Sequence, residues 1–292
     1  MARRSARRRP RRGQPSVVPT TVWATGQRDP SIELIERGYH LDTAADTGRI
    51  PPAVAEYAIG AYSPPGGTVL DPDCGAGTVV IEALRSGRHA IGLATTRGWR
   101  TLADANINAI RATGTATDAM VLMLTRRRDT LHTARAAGLT ESINLVLTAA
   151  RTAPGHDPAV LARTLTEVRP LLRPGGHVVV IAARTTTRAP LHTFGAILAA
   201  GRAAGLVPVE RCVALDGKLT RDSVSDRAPR AARRQSRDTG HPIAITAHHD
   251  VVAFRCAAAD TAAHPLPGSR VVRHHSDASD EYVHGMPTPR AA

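Results

Sequence analysis

The stretch GGTVLDPDCGAGT, residues 66–78, decides how the rest of this sequence is interpreted. An apolar run of strand length ends at Asp71, a turn with Gly75 and Gly77 follows, and an apolar helical pattern begins at Thr78. Glycine has no Cβ, so the backbone of such a turn can approach a ligand closely. The free N–H groups at the start of the next helix favour an anion such as a carboxylate. The stretch therefore predicts a site for the charged or sugar end of a nucleotide-like ligand, and the alternative is a strand-to-helix turn that binds nothing.

Short apolar runs alternate with helical patterns along residues 21–256. The predicted strands are 68–71, 89–94, 119–124, 143–148, 177–184, 206–215 and 244–256. The predicted helices are 51–62, 77–87, 98–112, 129–139, 157–172 and 191–205. This alternation predicts a doubly wound α/β fold, in which helices cover both faces of a mostly parallel sheet. Ligands of such sheets bind beyond the carboxyl ends of the strands, and the glycine turn follows the first strand of the series.

Positive charge is concentrated in two runs of the sequence. The 292 residues carry a net charge of +13, and seven arginines lie within the opening MARRSARRRPRR. Clustered arginine releases counterions from nucleic acid, so this run predicts a phosphate-binding arm, with a solvated tail as the alternative. The second run, 217–240, is either a loop that contacts nucleic acid or a solvated insertion. The candidate contacts are Arg3, Arg4, Arg7, Arg8 and Arg9 in the first run and Arg230, Arg233 and Arg234 in the second.

Composition divides the chain into one domain and two tails. Residues 1–20, rich in Arg and Pro, are predicted to be a basic disordered tail. Residues 257–292 lack apolar periodicity and are predicted to be a disordered carboxyl-terminal tail. The domain expected between them, 21–256, contains 217–240 as a basic insertion.

Cysteine and histidine positions argue against a metal site or a disulfide framework. Cys74, Cys212 and Cys256 are far apart and odd in number, which predicts no bound metal and a reducing, cytoplasmic location. The pair His248 and His249 has no partners at metal-ligand spacing and is interpreted as a surface feature. No stretch reaches the roughly 18 apolar residues that a membrane span needs, so a membrane is not an expected partner. Nothing in the sequence indicates the oligomeric state.

The segment VLDPDCGAGTVVIEALRSGRHAIGL, residues 69–93, resembles the cofactor motif of the S-adenosylmethionine-dependent DNA amino-methyltransferases. The family line reads DPF or DPM, then CGxGTT, a helix, and GRRAIGIE. LLRPGG at 171–176 is a common methyltransferase feature, and HHDVVAFR at 248–255 resembles the last strand of the family. The resemblance covers roughly 22–256 and implies a Rossmann-like class I methyltransferase fold with a seven-stranded sheet whose last strand is antiparallel.

The resemblance also implies a cofactor and the residues that hold it. S-adenosylmethionine is the expected cofactor and nucleic acid, with DNA foremost, the expected partner. Asp71 would meet the methionine ammonium, while Gly75 and Gly77 would let the backbone approach the carboxylate and ribose. Thr78 would add a hydroxyl at the first turn of the helix.

Several positions depart from the family pattern. Ala94 stands where an acid holds the ribose hydroxyls, and Thr125 stands where Asp precedes the adenine pocket. Asp118 replaces that Asp only if the strand is shifted. Asp73 stands where the family has Phe or Met, which exchanges an apolar wall for a charge that is costly to bury. The usual His-Pro-x-Lys is replaced by the segment 46–49, Asp-Thr-Gly-Arg, in which only the basic residue persists.

The largest departure is at the end of the fourth predicted strand. Family members carry Asp, Asn or Ser, then Pro-Pro and an aromatic residue, because an exocyclic amine needs oxygen acceptors to aim its nitrogen and a ring to stack on the flipped base. This chain has Ala149, Ala150, Arg151 and Thr152 there, so only backbone carbonyls remain as acceptors. The catalytic residues are therefore unknown from the sequence.

Two classes of function remain open from the sequence. The first is an S-adenosylmethionine-dependent methyltransferase that methylates an exocyclic amino group of a base, with an altered target motif. The alternative is a catalytically inactive protein of the same fold that binds nucleic acid or a protein partner. A small-molecule methyltransferase is the third possibility, which the late-strand resemblance disfavours.

Overall fold

The computed structural model describes residues 20–114, 116–124, 129–150, 158–182, 190–225 and 246–257, together with 234, 237, 238 and 240. All of these residues fall within one compact unit. The predicted tails, 1–20 and 257–292, lie almost wholly outside the described residues, so their disorder stays a prediction. No helix in the described ranges is long and apolar enough to cross a membrane.

The described chain forms one sheet flanked by helices. Its strands are β1 (Val22–Trp23), β2 (Thr68–Asp71), β3 (His89–Ala94), β4 (Ala119–Met123), β5 (Ile143–Ala150), β6 (Leu172–Ala182), β7 (Val207–Leu215) and β8 (His248–Arg255). Its helices are α1 (Pro30–Glu36), α2 (Pro52–Tyr62), α3 (Thr78–Arg85), α4 (Arg97–Arg111), α5 (Thr130–Ala136), α6 (Pro158–Val168) and α7 (Pro190–Ala203). Two short 3-10 helices cover Leu41–Ala45 and Arg169–Leu171.

The strand order is β1-β7-β8-β6-β5-β2-β3-β4. All pairings are parallel except those of β8, which is antiparallel to both β6 and β7. The doubly wound α/β fold with an antiparallel last strand is therefore confirmed. The seven predicted strands are all present, and the two-residue β1 joins the outer edge of β7 as an eighth.

The sheet reverses its order beside β2, which lies between β3 and β5. The chain winds outward through β3 and β4, then returns to β5 and continues to β6 on the other side. Such a switch point opens a crevice beyond the carboxyl ends of the strands. The turn after β2 lies at that crevice, as the sequence predicted.

Two apolar layers hold the sheet between its helices. Successive side chains of a strand point to opposite faces, so Val69 joins one layer and Leu70 the other. In β5, Leu145 and Leu147 face the first layer and Val146 the second, and all three are fully buried. Burial on both faces explains the continuous apolar runs of the central strands.

The end of β5 differs from the prediction. The strand was expected to end at residue 148, yet it continues through Ala149 and Ala150, which pair with Ile181 and Ala182 of β6. Alanine has little strand preference of its own, so the pairing with a neighbouring strand sets this boundary.

Candidate cofactor site at the glycine turn

The turn between β2 and α3 is fixed to the neighbouring strand. The N–H of Cys74 donates to the carbonyl of Leu93 in β3 at 3.0 Å, and the N–H of Gly77 donates to the carbonyl of Cys74 at 2.7 Å. Gly75 and Gly77 have φ angles of +49° and +84°, a left-handed conformation that favours glycine. The turn is therefore joined to the sheet edge by backbone hydrogen bonds.

Of the predicted cofactor ligands, Asp71 and Thr78 are both buried, with 6% and 2% of their surface exposed. Asp71 ends β2, and its Oδ1 accepts the N–H of Asp73 at 3.1 Å. Thr78 is the first residue of α3, directly after the N-cap Gly77. Their assignment to a cofactor is not tested by this geometry and stays a prediction.

The space that Gly75 opens is filled by this protein's own Asp46. A Cβ on Gly75 would overlap the Asp46 carboxylate, and one on Gly77 would lie 3.0 Å from the Cβ of Ala103 in α4. Asp46 Oδ2 accepts the N–H of Ala76 at 2.9 Å. Both glycines are thus favoured by the left-handed backbone and by close contacts within the protein, whether or not a ligand binds.

Asn106 of α4 attaches the segment before Asp46 to the same turn. Its Nδ2 donates to the carbonyl of Ala76 at 2.9 Å and to Oγ1 of Thr43 at 3.0 Å, and its Oδ1 accepts the N–H of His40 at 2.8 Å. Asn106 is 3% exposed, and its three hydrogen bonds hold residues 40–46 against the turn. The family pattern singles out Arg49 in this region, and it predicts no role for Asp46 or Asn106. No local sequence pattern indicates contacts between residues thirty positions apart.

Three carboxylates surround the turn. Burial raises the pKa of the Cys74 thiol, and the negative charges of Asp71, Asp73 and Asp46 raise it further. Asp73 itself is exposed, so the expected cost of burying a charge there does not arise. Three carboxylates therefore lie near the Cys74 thiol in this turn.

The end of β3 has no acid, as the sequence indicated. Ala94 is 1% exposed, and its carbonyl accepts the N–H of Leu124 at 2.9 Å. Thr96 caps α4, its Oγ1 accepting the N–H of Trp99 at 3.2 Å. Asp118 is exposed and precedes β4, at the amino edge of the sheet, so the shifted-strand alternative is wrong. Thr125 lies outside the described residues.

A cleft of about 600 Å³ opens beside the carboxyl end of β4. Its lining comes from α4 and from the residues that end the strand. These are Arg97, Arg100, Thr101, Asp104, Met123 and Leu124. The volume is within the range of small-molecule sites, and the cleft lies where the family resemblance puts the adenine.

The expected target motif offers no side-chain acceptor in its described half. Ala149 is half-buried and Ala150 is buried, and both have only methyl side chains. Pairing with β6 also uses part of their backbone hydrogen-bonding capacity. Arg151 and Thr152 lie outside the described residues.

His249 corrects the surface interpretation of the histidine pair. It is 9% exposed, and its Nδ1 lies 3.1 Å from the carbonyl oxygen of Ala182, at the carboxyl end of β6. The antiparallel direction of β8 brings this residue to the same edge as the glycine turn. No cluster of three or more His, Cys, Asp or Glu side chains suited to a metal occurs in the described part of the chain.

The basic insertion leaves and rejoins the sheet at the carboxyl edge, since β7 ends there and β8 begins there. Arg234 is described and is highly exposed, with Nε 3.7 Å from Oδ2 of Asp238. The other candidate contacts lie outside the described residues. They are Arg3, Arg4, Arg7, Arg8, Arg9, Arg230 and Arg233.

Comparison with known proteins gives one family model and one curated relative for part of the chain. The DNA methylase family model matches residues 2–101, about a third of the chain, and the matched part contains the glycine turn. The type II methyltransferase M.ScaI of Streptomyces caespitosus is 33% identical over 75 residues, which are 26% of this chain and 23% of that protein. The amino-terminal third is therefore similar to the DNA methylases, and the matched part of the chain spans less than a quarter of the curated relative.

Several similar solved structures are described as methyltransferases. A TehB-like protein from Corynebacterium glutamicum is 16% identical, with a TM-score of 0.45 over 77% of this chain and 96% of that chain. The geranyl diphosphate C-methyltransferase of Streptomyces coelicolor is 17% identical, with a TM-score of 0.47 over 72% of this chain and 77% of that chain. These values are too low to carry information on substrate.

Proposed function

We propose that this protein is an S-adenosylmethionine-dependent methyltransferase that acts on an exocyclic amino group of a nucleic acid base, with DNA as the first substrate to test. The observation that carries the proposal is that the match to the DNA methylases covers the glycine turn. That turn lies at the switch point of the sheet, where such folds bind their ligands.

The residues present fit the cofactor in part. The buried carboxylate of Asp71 can accept hydrogen bonds from the methionine ammonium, and the cleft beside Leu124 has room for the adenine. Ala94 offers nothing to the ribose hydroxyls. When bound, the cofactor would supply an electrophilic methyl group on its sulfonium sulfur.

On the side of the target base, the described hydrogen-bond acceptors are backbone carbonyls. The amine of a base delocalises its lone pair into the ring, so acceptors must draw its hydrogens and aim the nitrogen. At the end of β5 the carbonyls of Ala149 and Ala150 are the described groups nearest to this role. The basic insertion emerges at the same edge and would contact the phosphates beside an extruded base.

The second candidate function is a catalytically inactive, nucleic-acid-binding protein of the same fold. It is favoured by the hydrocarbon side chains of Ala94 and Ala149 at two positions where the resembled family has an oxygen-bearing side chain that binds a ligand. In that case the basic runs would carry the whole function.

Calorimetric titration of the full chain with S-adenosylmethionine tests cofactor binding, and transfer of a tritiated methyl group to bulk DNA and RNA tests catalysis. Binding followed by incorporation supports the methyltransferase. Binding without incorporation on either nucleic acid supports the inactive alternative. An absence of heat at millimolar cofactor contradicts the methyltransferase.

A matched pair of variants tests whether binding occurs at the turn. We expect Asp71→Asn to lower cofactor affinity by roughly tenfold or more, since a hydrogen bond to a charged group contributes about 1.5–3 kcal/mol. Asp73→Asn removes an exposed charge two residues away and is expected to have a much smaller effect. Equal effects of the two substitutions would place the cofactor elsewhere.

A further inference from the structure

The glycine turn already holds a carboxylate, and it belongs to this chain. Asp46 is 5% exposed, and its Oδ2 accepts the N–H of Ala76, which has no exposed surface. The same carboxylate fills the space that the absent side chain of Gly75 creates. A ligand that brought a carboxylate to this turn would find its donor engaged and its space filled.

The position of Asp46 is held by its neighbours. Its Oδ1 accepts the N–H of Gly48 at 3.2 Å, and its backbone carbonyl accepts a hydrogen bond from Nη1 of Arg49 at 2.7 Å. Asn106 anchors the preceding residues to the turn. Arg49 Nε is buried and has no hydrogen-bond partner among the described residues, so one N–H donor of this guanidinium is unpaired there. Asp46 is therefore a buried, hydrogen-bonded part of the turn and not an exposed surface side chain.

Negative charge near the turn also disfavours the carboxylate of a ligand. Asp46, Asp71 and Asp73 are all close enough to affect the ionisation of Cys74. The amino-acid end of S-adenosylmethionine carries an ammonium and a carboxylate. The Asp46 carboxylate at the N–H of Ala76 attracts the ammonium and repels the carboxylate, so the carboxylate is the part of the cofactor that binds least favourably here.

We propose that the Asp46 carboxylate competes with the carboxylate of S-adenosylmethionine for the N–H of Ala76, which makes Asp46 a specificity-determining residue of the cofactor site. The inference rests on the proposed function. The amino-acid part of the cofactor then adds little to its affinity for the wild-type turn.

Two ligands separate these parts. S-adenosylhomocysteine carries the ammonium and the carboxylate, and 5′-methylthioadenosine lacks both while keeping the nucleoside and sulfur. Calorimetry on the wild-type chain is expected to give 5′-methylthioadenosine an affinity at least equal to that of S-adenosylhomocysteine. A preference for S-adenosylhomocysteine of about tenfold or more would overturn the inference without the use of any variant.

The variants test the residue directly. Asp46→Asn keeps an oxygen acceptor for Ala76 and removes the charge, and Asp46→Ala also opens the space. We expect Asp46→Ala to raise the affinity for S-adenosylhomocysteine by about tenfold, as for removal of one like charge from a partly solvated site, and Asp46→Asn to raise it less, because Asn still occupies the N–H of Ala76. Both should leave the affinity for 5′-methylthioadenosine unchanged. Asp42→Asn, at a highly exposed carboxylate four residues earlier, is the control and is expected to change neither affinity.

The outcomes distinguish this inference from the proposed function. If 5′-methylthioadenosine binds and the substitutions of Asp46 leave S-adenosylhomocysteine unchanged or weaker, the inference fails and the proposed function stands. An equal gain for both ligands also overturns it, because a loosened turn would then explain the gain. If neither ligand binds any of the proteins, the proposed function fails and the inference fails with it.

Discussion

Glu82 of α3 is a charged residue without any exposed surface. Its Oε2 accepts a hydrogen bond from Nη1 of Arg37 at 2.7 Å, and its Oε1 accepts the hydroxyl of Tyr39 at 2.7 Å. Burial raises the pKa of Glu82 from 4.5 to about 7, despite the opposing effect of Arg37 and Arg85. Arg37 also pairs with Glu33 and Glu56, which makes it the centre of a network that joins α1, α2 and α3.

The raised pKa of Glu82 predicts a pH-dependent stability. The folded state holds the proton more tightly than the unfolded state, so the contribution is complete below pH 4.5 and is lost as the pH rises through about 7. We expect the free energy of unfolding to fall over this window by at most about 3 kcal/mol from this residue. Glu82→Gln should flatten that fall in urea denaturation measured between pH 5 and 7.5.

The control for this prediction is Glu56→Gln, which removes another partner of Arg37 but at a largely exposed side chain. It should leave the pH dependence close to that of the wild type, since exposed ion pairs contribute about 0–1 kcal/mol. If Glu82→Gln retains the full slope, another group is responsible for it.

At the scale of elements, two effects that favour glycine in the turn can be measured separately. They are the backbone conformation and the close packing. Gly75 and Gly87 both have positive φ angles, but a Cβ on Gly87 would meet nothing within 4 Å, while one on Gly75 would overlap Asp46. We expect Gly87→Ala to lower the free energy of unfolding by about 1–2 kcal/mol from backbone strain alone. Gly75→Ala should cost about 1–3 kcal/mol more, because overpacking adds to the strain.

Chemical denaturation of both variants measures the difference. Combining Gly75→Ala with Asp46→Ala should recover part of the additional loss, since the two residues are in contact. Equal losses for the two alanine variants would mean that the turn relaxes around the new Cβ, and would remove the packing argument for Gly75.

The seven longer strands can be predicted from the sequence because each is an apolar run bounded by turn residues. The run HAIGLA, for example, matches His89–Ala94 without change. β1 cannot be predicted in this way, because Val22 and Trp23 have no periodicity and pair with Val213 and Ala214 from the far end of the domain. Helix α1 was missed because Ile32 and Ile35 point to solvent and weaken the amphipathic pattern.

The candidate site was predictable only where its residues are contiguous. Residues 71–78 form one turn, so the sequence could place them together. The contact of Asp46 with Ala76 joins positions thirty residues apart and depends on the path of the 3-10 segment Leu41–Ala45. In the segment 46–49, the residue that matches the family pattern is the basic Arg49, whereas the side chain that enters the turn is the acidic Asp46.

At the scale of the whole molecule, the described features that could bind nucleic acid or cofactor meet at the carboxyl edge of the sheet. The glycine turn, the cleft beside β4, the end of β5 and both ends of the basic insertion all lie there. The arginine-rich segment 1–12 is the remaining candidate, and its contribution can be measured separately.

We expect deletion of residues 1–12 to weaken DNA binding and to reduce its salt dependence. Each phosphate contact on duplex DNA contributes about 0.9 to the slope of log affinity against log salt concentration, so an engaged arm should lower the slope by several such steps. Fluorescence anisotropy between low and moderate salt provides the measurement. Deletion of residues 281–292, a segment of equal length with one Glu and one Arg, is the control. An unchanged slope after the first deletion would mean that the arm does not touch DNA.

The shortest strand of the sheet, β1, limits self-association by covering the outer edge of β7. Trp23 of β1 is 1% exposed, stacks on Tyr57 with ring centroids 4.6 Å apart, and donates its indole N–H to the carbonyl of Thr20 at 2.9 Å. These contacts hold β1 over the outermost hydrogen-bonding groups of β7, which otherwise form a template for a strand of another molecule. We expect Trp23→Ala to promote dimers and larger species in analytical ultracentrifugation, while Trp23→Phe, which keeps the stacking ring, stays closer to the wild type. Two paired residues would then be enough to keep this edge from joining a second copy of the protein.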